Sequence, residues 1–315
     1  MQRVLITGCT GFLGRHLVEL LNRDPQYRLF GITDESGITI PGIEIRQSDI
    51  RNRDHLFQLI GEWKPDQVFH LAAITNVGFS WAHQQLTYEV NFMGSLHLME
   101  ALAQFVPQSR ILIMSSAEIA GLNLNETPEG PQLNIRSPYA LSKAAMEMLA
   151  SLFLARSALS VVPVRAFNFT GPGQDPQFVA PNFARQVARI EAGTAPPVIR
   201  VGNLSTRRDF SDVRDMARYV AAAGFTGKRG RLMRLGSGNV ISIQQILDTL
   251  LSLSRVPITV EVDPGRFRPL DIPELKGDCA LLHREMGLTP NYSLEQTLLD
   301  LLDEWRMKVR GEAGS

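Results

Sequence analysis

The sequence predicts an α/β fold in which a parallel sheet carries helices on both faces. Three observations lead to this prediction. Apolar runs alternate with segments of helical apolar spacing over the first 166 residues. The runs are continuous, as in strands that are buried on both faces. Glycines follow the first run, where a parallel sheet places its ligand-binding loops.

The composition excludes several kinds of partner. The 315 residues contain 32 Lys plus Arg and 32 Asp plus Glu, so the formal net charge is zero. Such a chain is not expected to bind nucleic acid or an anionic membrane as its main partner. No apolar run approaches the roughly 20 residues of a membrane span, and a core strand begins too early for a signal peptide. The cysteines are Cys9 and Cys279, and the six histidines show no metal-ligand spacing; we expect a cytoplasmic protein without structural disulfide or metal.

The first 166 residues supply strands and helices in alternation. The strands are runs rich in Val, Ile, Leu and Phe, and the helices carry apolar residues every three or four positions. Predicted strands cover 4–6, 27–33, 43–47, 67–73, 110–114 and 161–165, and predicted helices cover about 13–21, 52–62, 83–105 and 138–157. The polar, turn-rich stretch 122–137 is expected to be a loop over the ligand cleft.

The sequence changes character at Phe167, where glycines, prolines and polar residues replace the regular alternation. We therefore expect a second lobe to begin there. Predicted helices cover about 180–192, 210–224, 241–253 and 293–309, predicted strands cover 231–235 and 258–262, and 266–271 is a basic loop. The expected first domain is 1–166, rejoined by about 210–235, and the smaller lobe is 167–209 and 236–315.

The glycines after the first strand are spaced as in a dinucleotide-binding loop. They lie at Gly8, Gly11 and Gly14, between the apolar run and a helical pattern. The first glycine permits a tight turn, the second lets backbone N–H groups approach a pyrophosphate, and the third lets the helix pack closely. The alternative is a glycine-rich turn that binds nothing.

Asp34 follows the second predicted strand, twenty positions after Gly14. An acidic residue there can hydrogen-bond the hydroxyls of the adenosine ribose. Its carboxylate would repel a 2′-phosphate, so the sequence favours NAD(H), with NADP(H) as the alternative cofactor. The competing interpretation is a solvated aspartate in a turn.

Tyr139 and Lys143 lie four residues apart in a predicted helix, so both project from one face. A nearby ammonium stabilises a phenolate, and we expect Lys143 to lower the pKa of Tyr139. Ser116 ends an upstream strand, from which its hydroxyl could hydrogen-bond the oxygen that Tyr139 protonates. Together these residues predict a hydride-transfer site beside a nicotinamide. Any helix can contain such a Tyr–Lys pair, and Ser116 could be an ordinary loop hydroxyl.

Four sequence motifs resemble the extended short-chain dehydrogenase/reductases. They are TGCTGFLG at 7–14, HLAA at 70–73, Ser-Ser at 115–116 and YALSK at 139–143. Further stretches are similar to the branch that reduces GDP-4-keto-6-deoxy-D-mannose to GDP-D-rhamnose: 165–174, 180–193, 201–215 and 266–277. The resemblance implies a Rossmann domain with a smaller carboxyl-terminal substrate lobe of α/β structure, and it implies a nucleotide-sugar substrate.

The resemblance also assigns site residues. It makes Ser116, Tyr139 and Lys143 catalytic, with Tyr139 as the proton donor to the C4 oxygen of the sugar. The implied cofactor contacts are Gly8, Thr10, Gly11, Phe12, Leu13, Gly14, Asp49, Ile50, Leu71, Ala72 and Ala73, together with Tyr139 and Lys143. The implied substrate contacts are Thr75, Asn76, Asn168, Arg208 and Arg268. Arginine is independently the expected residue for bidentate phosphate recognition, although each Arg could equally form a surface ion pair.

One residue differs from the family pattern, and another is compatible with more than one reaction. Ala120 stands where the family usually carries a tyrosine, so an aromatic ring near the active site is missing. Glu118 stands where 4,6-dehydratases carry a catalytic glutamate, although GDP-sugar reductases also carry an acidic residue there. A 4,6-dehydratase or 4-epimerase that retains NAD is therefore the first alternative to a reductase, and a non-catalytic nucleotide sensor is the second. The resemblance further implies a homodimer formed by long helices, here 83–105 and 138–157, whose apolar residues could instead pack within one chain.

Overall fold

The computed structural model describes residues 1–119, 122–123, 132–133, 135–266, 272–277 and 279–313. The chain forms two units. Unit 1 comprises Met1–Ala166, Ala217–Leu235 and Arg284–Met286, and unit 2 comprises Phe167–Met216, Gly236–His283 and Gly287–Ser315.

The elements follow one another in a regular order. Up to residue 166 they are β1 (Gln2–Thr7), α1 (Phe12–Leu21), β2 (Tyr27–Thr33), β3 (Ile43–Gln47), α2 (Arg53–Trp63), β4 (Gln67–His70), α3 (Val77–Ala82), α4 (Gln84–Tyr88), a π-helical turn (Glu89–Met93), α5 (Gly94–Phe105), β5 (Arg110–Ser116), a 3₁₀ turn (Ala117–Ile119), β6 (Leu122–Asn123), β7 (Gln132–Leu133), α6 (Pro138–Arg156) and β8 (Ser160–Ala166). Beyond it they are β9 (Asn168–Thr170), α7 (Val179–Glu191), β10 (Val198–Val201), β11 (Arg207–Asp212), α8 (Val213–Thr226), β12 (Met233–Leu235), β13 (Val240–Ser242), α9 (Ile243–Ser252), β14 (Thr259–Val262), a 3₁₀ turn (Pro264–Arg266), β15 (Glu274–Leu275), α10 (Ala280–Met286) and α11 (Leu294–Ala313).

Unit 1 contains a parallel sheet, which in the described part of the chain has seven strands in the order β3-β2-β1-β4-β5-β8-β12. The predicted α/β fold with a doubly wound, Rossmann-type sheet is thereby confirmed. The central strands are apolar because helices cover both faces; Leu5, Ile6 and Val68, for example, have no exposed surface. The strand order reverses between β1 and β4, and ligands bind at such a reversal, beyond the carboxyl ends of the strands.

Unit 2 is built on smaller sheets with helices packed against them. In one of these sheets, β11 pairs with β13 in the antiparallel sense and with β9 and β15 in the parallel sense. In another, β10 pairs with β14 in the parallel sense. Helices α7, α9 and α11 bury a common apolar cluster that includes Ala184, Leu247 and Leu302. No helix in the described residues is both long and apolar enough to cross a membrane.

Three predicted helices differ from the structure. The helix predicted at 241–253 begins at Ile243, because Val240–Ser242 form β13. The helix predicted to begin at Phe210 begins at Val213, because residues up to Asp212 form β11. The helix predicted at 83–105 contains the π-helical turn Glu89–Met93 between α4 and α5. Such turns are frequent at functional sites, and this one carries the buried side chain of Asn91.

Candidate active site

In the glycine loop between β1 and α1, no side chain projects from positions 8, 11 and 14, so the backbone there is not covered by side chains of its own. Gly8 has φ +70°, and a Cβ there would lie 2.9 Å from the backbone nitrogen of Ala72. A Cβ on Gly14 would lie 2.1 Å from the carbonyl oxygen of Gly8. Gly11 precedes α1 and gives that helix no side-chain cap, so its first N–H groups face the loop without a capping side chain. A bare loop at a helix N-terminus fits the pyrophosphate of a dinucleotide.

Thr10 fixes the loop against the neighbouring strand. Its Oγ1 lies 2.7 Å from Oγ1 of Thr33, the last residue of β2, and its carbonyl oxygen accepts a 2.6 Å hydrogen bond from Nε of Arg15. Leu13 is buried, whereas Phe12 is half-buried. The loop is therefore held at both β2 and α1.

Asp34 and Asp49 follow neighbouring strands of this sheet. Asp34 comes directly after β2 and is exposed. Asp49 comes shortly after β3, and its Oδ2 accepts a 2.6 Å bond from Nη2 of Arg51, whose Nη1 also bonds Glu89 at 3.1 Å. The hydrogen bond from Arg51 holds the pKa of Asp49 below its usual value. Ile50 is buried against α5, where a Cβ on Gly94 would lie 2.6 Å from it.

Leu71, Ala72 and Ala73 continue beyond β4 and are half-buried. Two N–H groups of this segment bond the last residue of β1: Leu71 donates to the carbonyl oxygen of Thr7 and Ala72 donates to its Oγ1, both at 3.2 Å. The segment thus lies against the glycine loop, where a cofactor in that loop would meet it.

Ser116, Tyr139 and Lys143 come together at the end of β5. Helix α6 begins at Pro138, and Oγ of Ser137 accepts the N–H of Ala140 at 3.0 Å as its N-cap. Tyr139 lies in this capped first turn, and its side chain is hydrogen-bonded to Ser116. Nζ of Lys143 lies 6.0 Å from the centre of the Tyr139 ring, and all three residues are buried.

Burial sets the pKa values of this group. It raises the pKa of Tyr139 to about 12, the negative charge of Glu118 adds to the rise, and the hydrogen bond with Ser116 opposes it. The expected lowering of the Tyr139 pKa by Lys143 is therefore wrong for this structure. Burial also lowers the pKa of Lys143 to about 8, against the influence of Glu147. The ammonium donates instead to the carbonyl oxygen of Met114, at 2.7 Å. Tyr139 thus keeps its proton at neutral pH.

Glu118 lies in the 3₁₀ turn directly after β5. Its N–H donates to Oγ of Ser116 at 3.2 Å, and it is half-buried. Because its charge acts on Tyr139, it belongs to the same cluster of side chains.

Asn91 is a candidate site residue that the sequence prediction missed. The residue is fully buried in the π-helical turn. Its Oδ1 accepts the N–H of Ile74 at 2.8 Å, and its Nδ2 donates to the carbonyl oxygen of Ile74 at 3.0 Å and to Oγ of Ser142 at 2.9 Å. Ser142 donates in turn to the carbonyl oxygen of Tyr139, at 2.7 Å. A lone amide beside Val90 on the apolar face of a predicted helix was the available signal.

The predicted substrate contacts are spread over both units. In unit 2, Asn168 opens β9 opposite Phe210 of β11. Arg208, also on β11, is 7% exposed and its Nη1 donates to the carbonyl oxygen of Ile272 at 2.6 Å. In unit 1, Thr75 is exposed, and Oδ1 of Asn76 caps α3. Arg268 and Ala120 lie outside the described residues.

The depressed pKa of Lys143 predicts a pH dependence of stability. Its pKa is about 8 in the folded chain against an ordinary 10.5, so below pH 8 the folded protein bears the full cost of a buried ammonium. The unfolded chain binds more protons between these values, and stability therefore rises with pH there. We expect the free energy of unfolding of the wild type, relative to Lys143→Met, to increase by about 2 kcal/mol from pH 8 to 10. Urea unfolding of both proteins measures this difference, and a constant difference would contradict the burial of the charge.

Comparison with known proteins places this arrangement among nucleotide-sugar enzymes. The family model described as GDP-mannose 4,6-dehydratase matches residues 5–301. The chain is 30% identical to a GDP-6-deoxy-D-mannose reductase of Pseudomonas aeruginosa over 99% of both chains. Two solved structures have TM-scores of 0.82: RMD from P. aeruginosa complexed with NADPH (28% identical, covering 98% of this chain and all of that one), and the UDP-glucose 4-epimerase of Thermus thermophilus complexed with NAD (27% identical, 97% and 99%).

Proposed function

Because the chain belongs to the GDP-mannose 4,6-dehydratase family, an extended short-chain dehydrogenase/reductase group of NAD(P)-dependent nucleotide-sugar enzymes, we propose that it reduces the C4 ketone of a GDP-4-keto-6-deoxyhexose. The reaction would convert GDP-4-keto-6-deoxy-D-mannose to GDP-D-rhamnose. The observation that carries this proposal is a buried Tyr139 that retains its proton and is hydrogen-bonded to Ser116. The similarity to a GDP-6-deoxy-D-mannose reductase over almost the whole chain supports the same reaction.

Each side chain of the site would have its own role in the reduction. The glycine loop and the segment after β4 would hold a reduced nicotinamide dinucleotide, which would be the source of the hydride for C4. Tyr139 gives its proton to the C4 oxygen, and the hydroxyl of Ser116 hydrogen-bonds that oxygen. Lys143 supplies a positive charge beside the ring, which favours the phenolate once the proton has left. Arg208, Arg268 and Asn168 would hold the diphosphate, and Thr75 and Asn76 would face the hexose.

A spectrophotometric assay tests this function. The protein is mixed with GDP-4-keto-6-deoxymannose and NADH or NADPH, and the nicotinamide absorbance is followed. We expect consumption of the reduced cofactor that depends on the sugar, and the 4-keto-6-deoxy sugar linked to UDP serves as the control for the base. Absence of consumption, with conversion of GDP-mannose to a keto sugar instead, would refute the reductase function.

A 4,6-dehydratase or 4-epimerase that cycles a bound NAD is the second candidate. The position of Glu118 favours it, because a dehydratase needs an acid–base group beside the catalytic tyrosine and the charge of Glu118 acts on Tyr139. Such an enzyme retains its cofactor through purification. Release of stoichiometric NAD on denaturation, together with turnover that needs no added nicotinamide, would select this candidate.

Asp34 should set the preference for NAD(H) over NADP(H). The residue is exposed after β2, where its carboxylate would repel a 2′-phosphate. We expect Asp34→Asn to reduce the ratio of NADH to NADPH affinity by about fivefold, which corresponds to the loss of roughly one kcal/mol of repulsion. Fluorescence titration of both cofactors measures the ratio, and Glu35→Gln, the exposed neighbouring carboxylate, should leave it unchanged. Tighter binding of NADPH by the wild type would overturn this preference, and NADPH is the cofactor in the P. aeruginosa structure.

We also propose that the protein is a cytoplasmic homodimer paired through the long helices at 83–105 and 138–157, of which the second, α6, exposes apolar side chains. Leu141, Met148 and Leu152 recur at helical spacing on this helix, and Leu152 is 58% exposed. The reduced, buried Cys9 and Cys279 are compatible with a reducing compartment. We expect Leu152→Glu to shift the sedimentation coefficient from that of a dimer to that of a monomer. The exposed Met307 of α11 provides the control, since Met307→Glu should not change it; a wild type that sediments as a monomer would contradict the proposal.

A further inference from the structure

His70, the last residue of β4, lies at the centre of a buried chain of hydrogen bonds. Its Nδ1 is 2.8 Å from Oγ1 of Thr7, and its Nε2 is 2.8 Å from Oγ of Ser95. Thr7 ends β1, and Ser95 belongs to α5. His70, Thr7 and Ser95 are each at most 2% exposed. The histidine therefore bridges the end of the central strands and the helix that follows the π-helical turn.

The bonds that Thr7 and Ser95 make with backbone groups determine which atom is the donor in their hydrogen bonds with His70. The N–H of Ala72 must donate to Oγ1 of Thr7, which it approaches at 3.2 Å. At the other end, the hydroxyl of Ser95 donates to the carbonyl oxygen of Asn91 at 2.5 Å, because a carbonyl oxygen can only accept. Ser95 has one proton, so it must accept from Nε2 of His70. The neutral ring is then protonated at Nε2, and its Nδ1 accepts from the hydroxyl of Thr7.

A second proton on the ring would break this order. Nδ1–H would face the oxygen of Thr7, which already accepts from Ala72, and the hydroxyl proton of Thr7 would lose its acceptor. Burial and the positive charge of Lys143 both disfavour the imidazolium, and they lower the pKa of His70 to about 3. The geometry and the charge agree on one neutral tautomer.

The series of hydrogen bonds continues from Asn91 to α6, the helix that carries Tyr139. The amide of Asn91 bonds both backbone groups of Ile74 and the hydroxyl of Ser142, and Ser142 bonds the carbonyl oxygen of Tyr139. One connected set of buried bonds thus runs from the residue before the glycine loop to the residue that carries the reacting proton. These bonds therefore connect the residue before the glycine loop with the helix that carries the Tyr139 hydroxyl.

We propose that His70, held as the neutral Nε2–H tautomer, is a positioning residue that couples the cofactor-binding strand ends to the helix of Tyr139 through Ser95 and Asn91. This inference rests on the proposed hydride transfer for its kinetic consequence. The tautomer of His70 and the directions of the hydrogen bonds around it do not depend on which nucleotide sugar reacts.

The tautomer is measured on the whole protein labelled with ¹⁵N-histidine, in long-range ¹H–¹⁵N spectra, with His70→Gln identifying the His70 signals. We expect a protonated Nε2, an unprotonated Nδ1, and no titration of His70 between about pH 5 and 8, where an ordinary histidine titrates. A protonated Nδ1, or a titration in this range, would overturn the proposal. This readout needs no substrate, so it stands even if the proposed reaction fails.

Two substitutions at position 70 test the kinetic consequence. The amide nitrogen of His70→Gln can reach the place of Nε2 and donate to Ser95, whereas His70→Phe fills the space without hydrogen bonds. We expect His70→Phe to lower kcat on the order of 10- to 100-fold by misplacing the reacting groups, with dinucleotide affinity retained, and His70→Gln to recover most of the loss. Equal kcat for the two variants would overturn the positioning role.

Ser95→Ala keeps the test decisive if His70→Phe does not fold. It removes only the link between His70 and Asn91, and we expect kcat to fall about tenfold with unchanged dinucleotide affinity. Ser109→Ala is the matched control, because Ser109 is a buried serine whose hydroxyl bonds a backbone carbonyl oxygen, that of Asp66, just before β5 and therefore at the end of the strands opposite to the site. Wild-type kcat in Ser95→Ala would overturn the proposal.

Discussion

Replacing Tyr139 by Phe should lower turnover of the keto sugar roughly 10³-fold, the usual contribution of a positioned proton donor. The substitution removes the hydroxyl that is hydrogen-bonded to Ser116 and leaves the ring, which is 8% exposed, in its place. Dinucleotide binding should persist, because the substitution leaves in place the glycine loop and the segment after β4, which supply most of the implied cofactor contacts. The measurements are kcat from the nicotinamide absorbance and the dissociation constant from fluorescence.

Tyr27→Phe is the matched control for this prediction. Tyr27 is a partly buried tyrosine that stacks on Phe225 at the start of β2, away from the site. Its loss of a hydroxyl should leave kcat unaltered. Wild-type turnover in Tyr139→Phe would refute the role of Tyr139 as proton donor, and equal losses in both variants would indicate a general effect on stability.

Gly14→Ala should abolish dinucleotide binding and destabilise the fold. The new methyl group would lie 2.1 Å from the carbonyl oxygen of Gly8 and 2.9 Å from Cα of Cys9. These are backbone atoms that cannot rotate away, so α1 must move off the loop and the pyrophosphate cradle is lost. We expect dinucleotide affinity to fall at least about 100-fold and the free energy of unfolding to fall by about 3 kcal/mol. Fluorescence titration and urea unfolding measure the two effects.

Gly61→Ala controls for the addition of a methyl group to a helical glycine. A Cβ at Gly61 would meet the ring of Phe105 at 3.6 Å, an ordinary contact. This variant should bind dinucleotide like the wild type and gain up to about 1 kcal/mol from helix propensity. Wild-type dinucleotide affinity in Gly14→Ala would show that α1 can shift without cost to the cradle.

The strands of unit 1 could be predicted because their apolar runs are visible in the sequence. Strand β11 could not, because Arg207–Asp212 is largely charged and polar. This strand is defined by its pairing with β9, β13 and β15, and by Asp209, whose buried carboxylate accepts the N–H groups of Ser237 and Gly238. Contacts distant in sequence thus override a local pattern with low strand propensity.

The sequence predicts which residues form the candidate site, but it does not predict the direction of the pKa shift of Tyr139. Ser116, Tyr139 and Lys143 stand at positions that a strand end and a four-residue helical spacing make visible. The sign of the Tyr139 pKa shift depends on how completely the site excludes water, which only the folded structure shows. Asn91 was missed because apolar residues such as Leu86, Val90 and Leu98 recur at roughly helical spacing on both sides of it, so the sequence predicts one regular helix.

The late position of β12 has a consequence for synthesis of the chain. β8 pairs with β5 on one side and β12 on the other, and residues 167–232 separate β8 from β12. At about 5–20 residues per second, a ribosome needs on the order of 3–13 s to reach β12 after completing β8. During that interval the valine-rich edge of β8 has no partner strand, and unpaired edges of this kind invite pairing with other chains. The nascent protein therefore exposes an unpaired strand edge that can pair with other chains until β12 emerges from the ribosome.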